Sequence, residues 1–217
     1  MKIGVGVITM GLRPLKDYLL KEGADFFVYK DEERKGPAHA RNKVLEHFDG
    51  YDHIFIFDDD AWPLMRGWED YFIEQAVLHN VHYMAIPEWF KGKIVGCQGE
   101  MLEWSDSLAA ITYQSKHAVE VIGGYNTAYE RYGYEDIARN FRAVHKAGLS
   151  TRQGVHCFPA RGPAYIYYSD AYGTTEVANL TPEEKAHYTE KNYHLFQEEI
   201  NSDRIYYPFR SGEQVNS

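Results

Sequence analysis

Three adjacent carboxylates, Asp58-Asp59-Asp60, close an apolar run, Ile54-Phe55-Ile56-Phe57. Their charges repel one another and are costly to desolvate, so they need a counter-charge. A hard divalent cation supplies one, and carboxylate oxygens are the ligands that Mg²⁺ and Mn²⁺ take. The apolar run reads as a short strand covered on both faces. Strand ends of α/β sheets are where ligands bind. The acidic run therefore predicts a metal, and the metal predicts a phosphorylated ligand. Asp58 and Asp60, first and third of the run, can address the same centre from a strand end, one on the metal and the other on the metal or a ribose.

Two other groups of residues carry chemistry. Arg41, in Gly36-Pro37-Ala38-His39-Ala40-Arg41-Asn42, lies one helix before the aspartates. It can reach a phosphate or fix the acidic run through a bidentate pair. Glu135-Asp136 follow Gly123-Gly124-Tyr125 and Gly133-Tyr134. They open a helix, where the dipole and the free N–H groups favour carboxylates. One of such a pair can abstract a proton while its neighbour positions an acceptor hydroxyl.

The elements that must position these residues follow from pattern. Ile3 to Thr9 is a β-branched run and predicts a first strand. Gly11-Leu12-Arg13-Pro14 turns into a helix with Leu15, Leu19 and Leu20 on its apolar face, closed by Gly23. Asp25 to Tyr29 predicts a second strand, Lys30 to Lys35 a charged loop, and Ala38 to Phe48 a second helix. The aspartate-bearing strand completes a β-α-β-α-β order, which implies a parallel, doubly wound sheet. Gly67 to Leu78 predicts a helix and Tyr83 to Ile86 a strand. Two short strands around Gly96 to Gly99 predict an antiparallel extension. Lys116 to Ile122 and Asp136 to Ala147 predict helices, and Val155 to Phe158 a strand. Pro159 to Thr175 reads as a loop, with residues 160–168 as a candidate lid. Thr181-Pro182-Glu183-Glu184 is a capping box opening a long helix. After Asn201 the chain reads as a polar tail. The expected organisation is one α/β domain over 1–200 and a tail over 201–217.

In this order, the motifs resemble a GT-A glycosyltransferase, closest to the family 2-like group, over roughly residues 1 to 160. Asp58-Asp59-Asp60 is similar to the family's DxD motif, Glu135-Asp136 to its ED motif, and Ala40-Arg41-Asn42 to the segment that precedes DxD. The resemblance implies a GT-A-like single domain, a nucleotide-diphosphate sugar donor carried most often on UDP, Mn²⁺ or Mg²⁺, and transfer to an acceptor hydroxyl. It makes Asp60 the leading metal ligand and Asp58 a ribose or metal contact, with Asp59 beside them in the donor site. Asp136 becomes the base of an inverting displacement, and Glu135 supports the acceptor. Thr9, Arg13 and Arg41 fall where the nucleotide is held, and Asp31 where an acidic residue meets base or ribose. A third ligand is often a His after the ED helix. His156 and His145 are the candidates, and His156, in a predicted strand, is the better placed. A His ligand fits Mn²⁺ better than Mg²⁺. After Asp136 the chain reads Ile-Ala-Arg-Asn-Phe-Arg, without the QxxRW-type signature of processive synthases, which implies single addition.

Composition narrows the partners. A formal net charge of −9 argues against a large nucleic-acid footprint, because counterion release needs clustered Lys and Arg. The acceptor could be a glycan, a small molecule, a protein or a modified DNA base. Trp89, after a predicted strand, is the best candidate for an acceptor platform. Cys97 and Cys157 read as two free thiols in a reducing compartment. No apolar stretch approaches membrane-spanning length and no secretory signal is evident, so a cytoplasmic protein is expected. Two other readings stay open. A sugar-phosphate nucleotidyltransferase would use the same carboxylates on a nucleoside triphosphate, with a Gly-rich basic loop that Met10-Gly11-Leu12-Arg13 reproduces poorly. A non-catalytic nucleotide-sugar-binding module would bind without turnover.

Overall fold

In the computed structural model, residues 1–87, 92–169 and 180–213 are described. Trp89 lies outside them. The central sheet has the order β2-β1-β3-β8-β5. Its strands are β1 (Ile3–Thr9), β2 (Ala24–Lys30), β3 (His53–Asp58), β5 (Tyr83–Ala85) and β8 (Ile111–Ser115). β1 pairs in parallel with β2 and β3, and β8 runs antiparallel to both β3 and β5. Four of the five strands therefore point the same way. A separate three-stranded antiparallel sheet joins β6 (Ile94–Gln98), β7 (Met101–Trp104) and β9 (His156–Pro159), which is the predicted extension with β9 added. The architecture is a mixed α/β fold with a mostly parallel central sheet, as expected.

Side-chain alternation decides what each face of the sheet meets. Ile3, Val5, Val7, Phe55 and Phe57 pack with Trp68, Phe72 and Ala76 of α2 (Trp68–Leu78). On the other face Ile54 and Ile56 pack with Val44, Leu45 and Phe48, at and just beyond the end of α1 (Pro37–His47). Gly4 and Gly6 of β1 also face α1. A Cβ on Gly6 would stand 2.1 Å from Val44 Cγ1, and one on Gly4 would stand 2.6 Å from the Phe48 ring. Two glycines at this spacing let α1 lie directly on β1, and this seats Arg41 close to the strand tips.

The first crossover differs from expectation: residues 12–23 form no helix. Their polar groups have tertiary partners instead. Tyr18 donates its hydroxyl to Ala61 O at 2.7 Å, Trp68 donates its indole N–H to Leu19 O at 3.2 Å, and Lys21 N donates to Glu69 at 2.8 Å. A helix of about nine residues is marginal on its own, and here the competing contacts win.

The helix opened by Glu135 is also shorter than predicted. α4 (Glu135–Phe141) passes at once into a π-helical turn, Arg142–Lys146. The expected loop after Pro159 is ordered as α5 (Gly162–Tyr165) and β10 (Ile166–Tyr168), the latter paired antiparallel with β4 (Ala61–Pro63). Ile166 and Tyr168 are buried, so this segment packs on the acidic turn as part of the domain. The remaining helices are α3 (Lys116–Ile122) and α6 (Pro182–Asn201), and α6 opens with the predicted Thr181–Glu184 capping box. Beyond α6 the described part of the tail is not loose. Tyr207 and Phe209 are buried, and Tyr207 O accepts from Gly124 N at 2.7 Å.

Candidate active site

Asp58 follows Ile54 and Ile56 on the α1 face of β3, so the strand's own alternation points it at Arg41. Arg41 is 2% exposed and is the hub of the site. Its Nη2 donates to both Asp58 oxygens, at 2.7 and 3.1 Å, and to Ala109 O at 3.3 Å. Its Nη1 donates to Glu135 Oε1 at 3.0 Å. One buried guanidinium thus ties the acidic strand end to the start of α4. Burial alone would lower the Arg41 pKa, but Asp58, Tyr125 and Glu135 outweigh it, so the group stays protonated. Burial pushes both carboxylates up. Asp58 rises to about 7, with Asp60 adding to the effect of burial and Arg41 opposing it. Glu135 also rises to about 7, with Asp136 adding and Arg41 opposing.

The other two aspartates turn towards β1. Asp59 accepts from Thr9 Oγ1 at 2.6 Å and from Arg13 Nη1 at 3.1 Å. Asp60 is 3.1 Å from the same Arg13 nitrogen. The Tyr18 hydroxyl beside them is pushed well above its ordinary pKa, by burial first and then by the charges of Asp58, Asp59 and Asp60. Asp31 is buried, and its carboxylate accepts from Lys35 N at 3.0 Å and Gly36 N at 2.8 Å. It shapes the turn into α1 while also lining the site.

The Gly-Gly-Tyr segment earns its glycines by close approach. Asn42 clamps the backbone of Tyr125, donating to its carbonyl at 2.8 Å and accepting from its N–H at 2.7 Å. A Cβ on Gly124 would stand 2.3 Å from Asn42 Oδ1 and 2.6 Å from Phe209 Cβ. Tyr125 in turn lies under Arg41, whose Cζ is 5.5 Å from the ring centroid.

α6 holds the loop that presents Glu135 and Asp136. Asn192, fully buried, donates to Glu130 O at 2.9 Å and Tyr132 O at 2.8 Å, and Tyr134 stacks on Phe196. Tyr134 caps α4 from a left-handed backbone, φ 71°. Asp136 is half-buried, with Oδ1 accepting from Ile137 N at 2.7 Å.

These residues line one cleft of about 970 Å³, at the ends of β1 and β3. Thr9, Arg13, Asp31, Arg41, Asp58, Asp59, Asp60, Glu135 and Asp136 all border it. Sequence reasoning missed several lining groups. Arg34 and Arg131, exposed and with φ of 53° and 54°, have no signal in sequence beyond lying in polar loops. Asn192 acts from behind the cleft, and a lone polar residue in an amphipathic helix gives no hint of it.

His156 is not in this cleft. It lines a second cavity of about 220 Å³ with His145, and its Nδ1 is 2.7 Å from Ser107 Oγ. Among the described residues, no three or more His, Cys, Asp or Glu side chains are grouped to hold a metal. The acidic turn nonetheless fits a hard cation in its chemistry, since its donors are all carboxylate oxygens. It fits as one or two protein ligands, with Arg13 and Arg41 now holding the charge that a cation would share. That is how Mg²⁺ commonly binds, with phosphate and water completing the shell. With His156 elsewhere, the reason to favour Mn²⁺ lapses. Cys97 is exposed and Cys157 buried, and both are free thiols.

No protein-family model matches the chain, and no curated protein matches it significantly. Among the described residues no helix is long and apolar enough to cross a membrane. Several solved structures are similar to it, among them these two. One is A197 from STIV, with a TM-score of 0.41 and 12% identity over 83% of this chain and 98% of that one. The other is a glycosyltransferase involved in the glycosylation of the major capsid of PBCV-1, with a TM-score of 0.32 and 12% identity over 55% of this chain and 63% of that one.

Proposed function

We propose that this protein is a glycosyltransferase that moves a sugar from a nucleoside-diphosphate sugar, with UDP as carrier, to an acceptor hydroxyl. The observation that carries the reading is Arg41. Through it the acidic strand end and the Glu135–Asp136 pair share one cleft, although they are distant in sequence. The cleft holds what such a transfer needs: arginines and carboxylates where a charged leaving group would sit, and a half-buried carboxylate facing the same space.

Asp136 takes the proton from the acceptor hydroxyl. The acceptor oxygen bonds to the anomeric carbon as the bond from that carbon to the diphosphate breaks, and the electron pair leaves with the nucleoside diphosphate. Attack from the face opposite the leaving group inverts the anomeric centre, once per acceptor. Glu135, committed to Arg41, orients the guanidinium rather than the acceptor. Thr9 and Arg13 hold Asp59 at the strand tip. A divalent cation, Mg²⁺ or Mn²⁺, held by Asp58 and Asp60 would supply neutralisation of the diphosphate charge. The two free thiols suit a reducing, cytoplasmic setting. The acceptor class stays as broad as the sequence left it: glycan, small molecule, protein or modified DNA base.

A thermal-shift panel tests the reading, using nucleoside diphosphates, triphosphates and nucleotide sugars with and without Mg²⁺ or Mn²⁺, on wild type and Asp60→Ala. Ligand bound only by the folded state raises its stability by mass action. The expected result is a metal-dependent shift with one nucleoside diphosphate and its sugars, lost in Asp60→Ala. A shift confined to triphosphates would replace the reading with nucleotidyl transfer, and no shift with any nucleotide would overturn both.

A further inference from the structure

The second cavity lies along α4, whose start also borders the donor cleft. It is bordered by Ser105, Asp106, Ile137, Asn140, His145 and His156, with Ser107 and Phe141 completing its wall. Ile137 borders the donor cleft as well. Residues 137, 140 and 141 fall on one helical face, because positions three and four apart are neighbours. The same short helix therefore carries Asp136 at its tip and this cavity along its side.

The interior is wired by hydrogen bonds that fix its donors. Asn140 Nδ2 faces Ser107 O and Leu108 O, at 3.4 and 3.3 Å, and Oδ1 accepts from the Tyr83 hydroxyl at 2.6 Å, so the amide has one orientation. Nδ2 also donates to Ser107 Oγ at 3.0 Å. The Ser107 hydroxyl is also hydrogen-bonded to His156 Nδ1, at 2.7 Å. His156 is 8% exposed, and burial pushes its pKa down to about 4, which favours the neutral ring. The same cavity is lined by a carboxylate, Asp106, and by a flat face made by Phe141 and His145, stacked at 4.5 Å and 14°. The π-helical turn that carries His145 is a costly geometry that recurs at functional sites.

An imidazole held in place by Ser107, a carboxylate acceptor at the rim and an aromatic face in a small cavity suit a ring bearing several hydroxyls. We infer that this cavity is a binding pocket for one hexose ring of the acceptor, seated so that a hydroxyl beyond Ile137 meets Asp136. The inference rests on the transferase reading for its purpose, but the pocket's sugar binding can be measured without it. At less than a quarter of the cleft's volume, the pocket takes one ring rather than a chain.

The test uses the full chain and a panel of methyl hexosides, gluco, galacto and manno in both anomers, followed by the imidazole NMR signals of His145 and His156. Two variants accompany it: Ser105→Trp, which fills the pocket from its exposed rim, and Asp106→Asn, which removes the carboxylate. The expected result is that at least one hexoside shifts both histidines in the wild type. Ser105→Trp abolishes that shift, Asp106→Asn weakens binding about ten-fold or more, as loss of a charged hydrogen bond does, and the UDP thermal shift is kept in both. Histidine shifts without any nucleotide effect would support the pocket while sinking the donor reading. If the protein transfers sugar from a UDP donor but no hexoside moves either histidine, the pocket assignment is overturned and the transferase reading survives. Failure of every hexoside to move the histidines overturns the pocket in any case, as does a shift that Ser105→Trp leaves intact.

Discussion

The two cavities beside α4 solve opposite problems with residues close together in sequence. The larger gathers six carboxylates with Arg13, Arg34, Arg41 and Arg131, and its chemistry is ionic. The smaller is built on Ser107, Asn140 and a His156 that burial keeps neutral, with one exposed carboxylate at its edge. In the first, position is fixed by charge pairs that an incoming charged ligand must share or exchange. In the second, it is fixed by a chain of hydrogen bonds linking Tyr83, Asn140, Ser107 and His156, which no ligand need disturb. The difference teaches that Glu135 and Asp136 are not a matched pair. Glu135 is buried and bound to Arg41, whereas Asp136 keeps an open side towards the cleft.

The largest effect should separate those two residues. Asp136→Asn should lower sugar transfer by about 10²–10⁴-fold, the usual contribution of a general base, while leaving the nucleotide thermal shift intact. Full transfer in that variant would show that the base lies elsewhere. Next comes the brace. Arg41→Ala leaves Asp58 and Glu135 without their shared cation and should cost about 3–5 kcal/mol in urea unfolding. Ser107→Ala, in the neutral chain, should cost about 1 kcal/mol. Equal losses would mean that the two cavities are not held by different physics. Gly124→Ala should fall between them, at about 1–3 kcal/mol, since its Cβ collides with Asn42 and Phe209.

The remaining effects are in pH, and they carry opposite signs. Glu135 has its pKa raised to about 7 from an ordinary 4.5. Between those values the folded protein holds a proton that the unfolded chain has released, so this group's contribution to stability is lost as pH rises towards 7. His156 is lowered from 6.5 to about 4. Between those values the unfolded chain takes up a proton that the folded protein refuses, so stability is lost as pH falls. In chelator-treated protein, Glu135→Gln should therefore flatten the decline towards neutral pH, and His156→Gln should flatten the acid side. Urea midpoints at pH 4.5, 5.5 and 7 read both. If either variant changes the opposite limb, the assignment of burial as the dominant cause is wrong for that residue.

Much of the acidic cleft was legible in the chain. The Ile-Phe-Ile-Phe run, its terminal aspartates and the capping box of α6 are local patterns, and each formed where its residues stand. The first crossover was not legible, because its leucine spacing suits a helix while Tyr18 and Lys21 find better partners in Ala61 and Glu69. The tail was not legible either, since only the glycines at 123 and 124 leave room for Tyr207 and Phe209 to pack. His156 borders the second cavity and not the acidic cleft, and this was not legible, because a β-strand pattern fixes that a residue is buried, not which cavity it borders.

By itself the sequence determined the alternation that turns Asp58 towards α1, the glycines in β1 that admit that helix, and the carboxylate pair at the start of α4. These depend on backbone periodicity and on the volume of single side chains. Only the tertiary structure decided that one arginine serves both acidic segments, that Asn192 of the last helix holds the Glu135 loop, and that the histidines form a pocket of their own. Those are contacts between distant parts of the chain, and no local propensity encodes a partner that folding alone brings within hydrogen-bond reach.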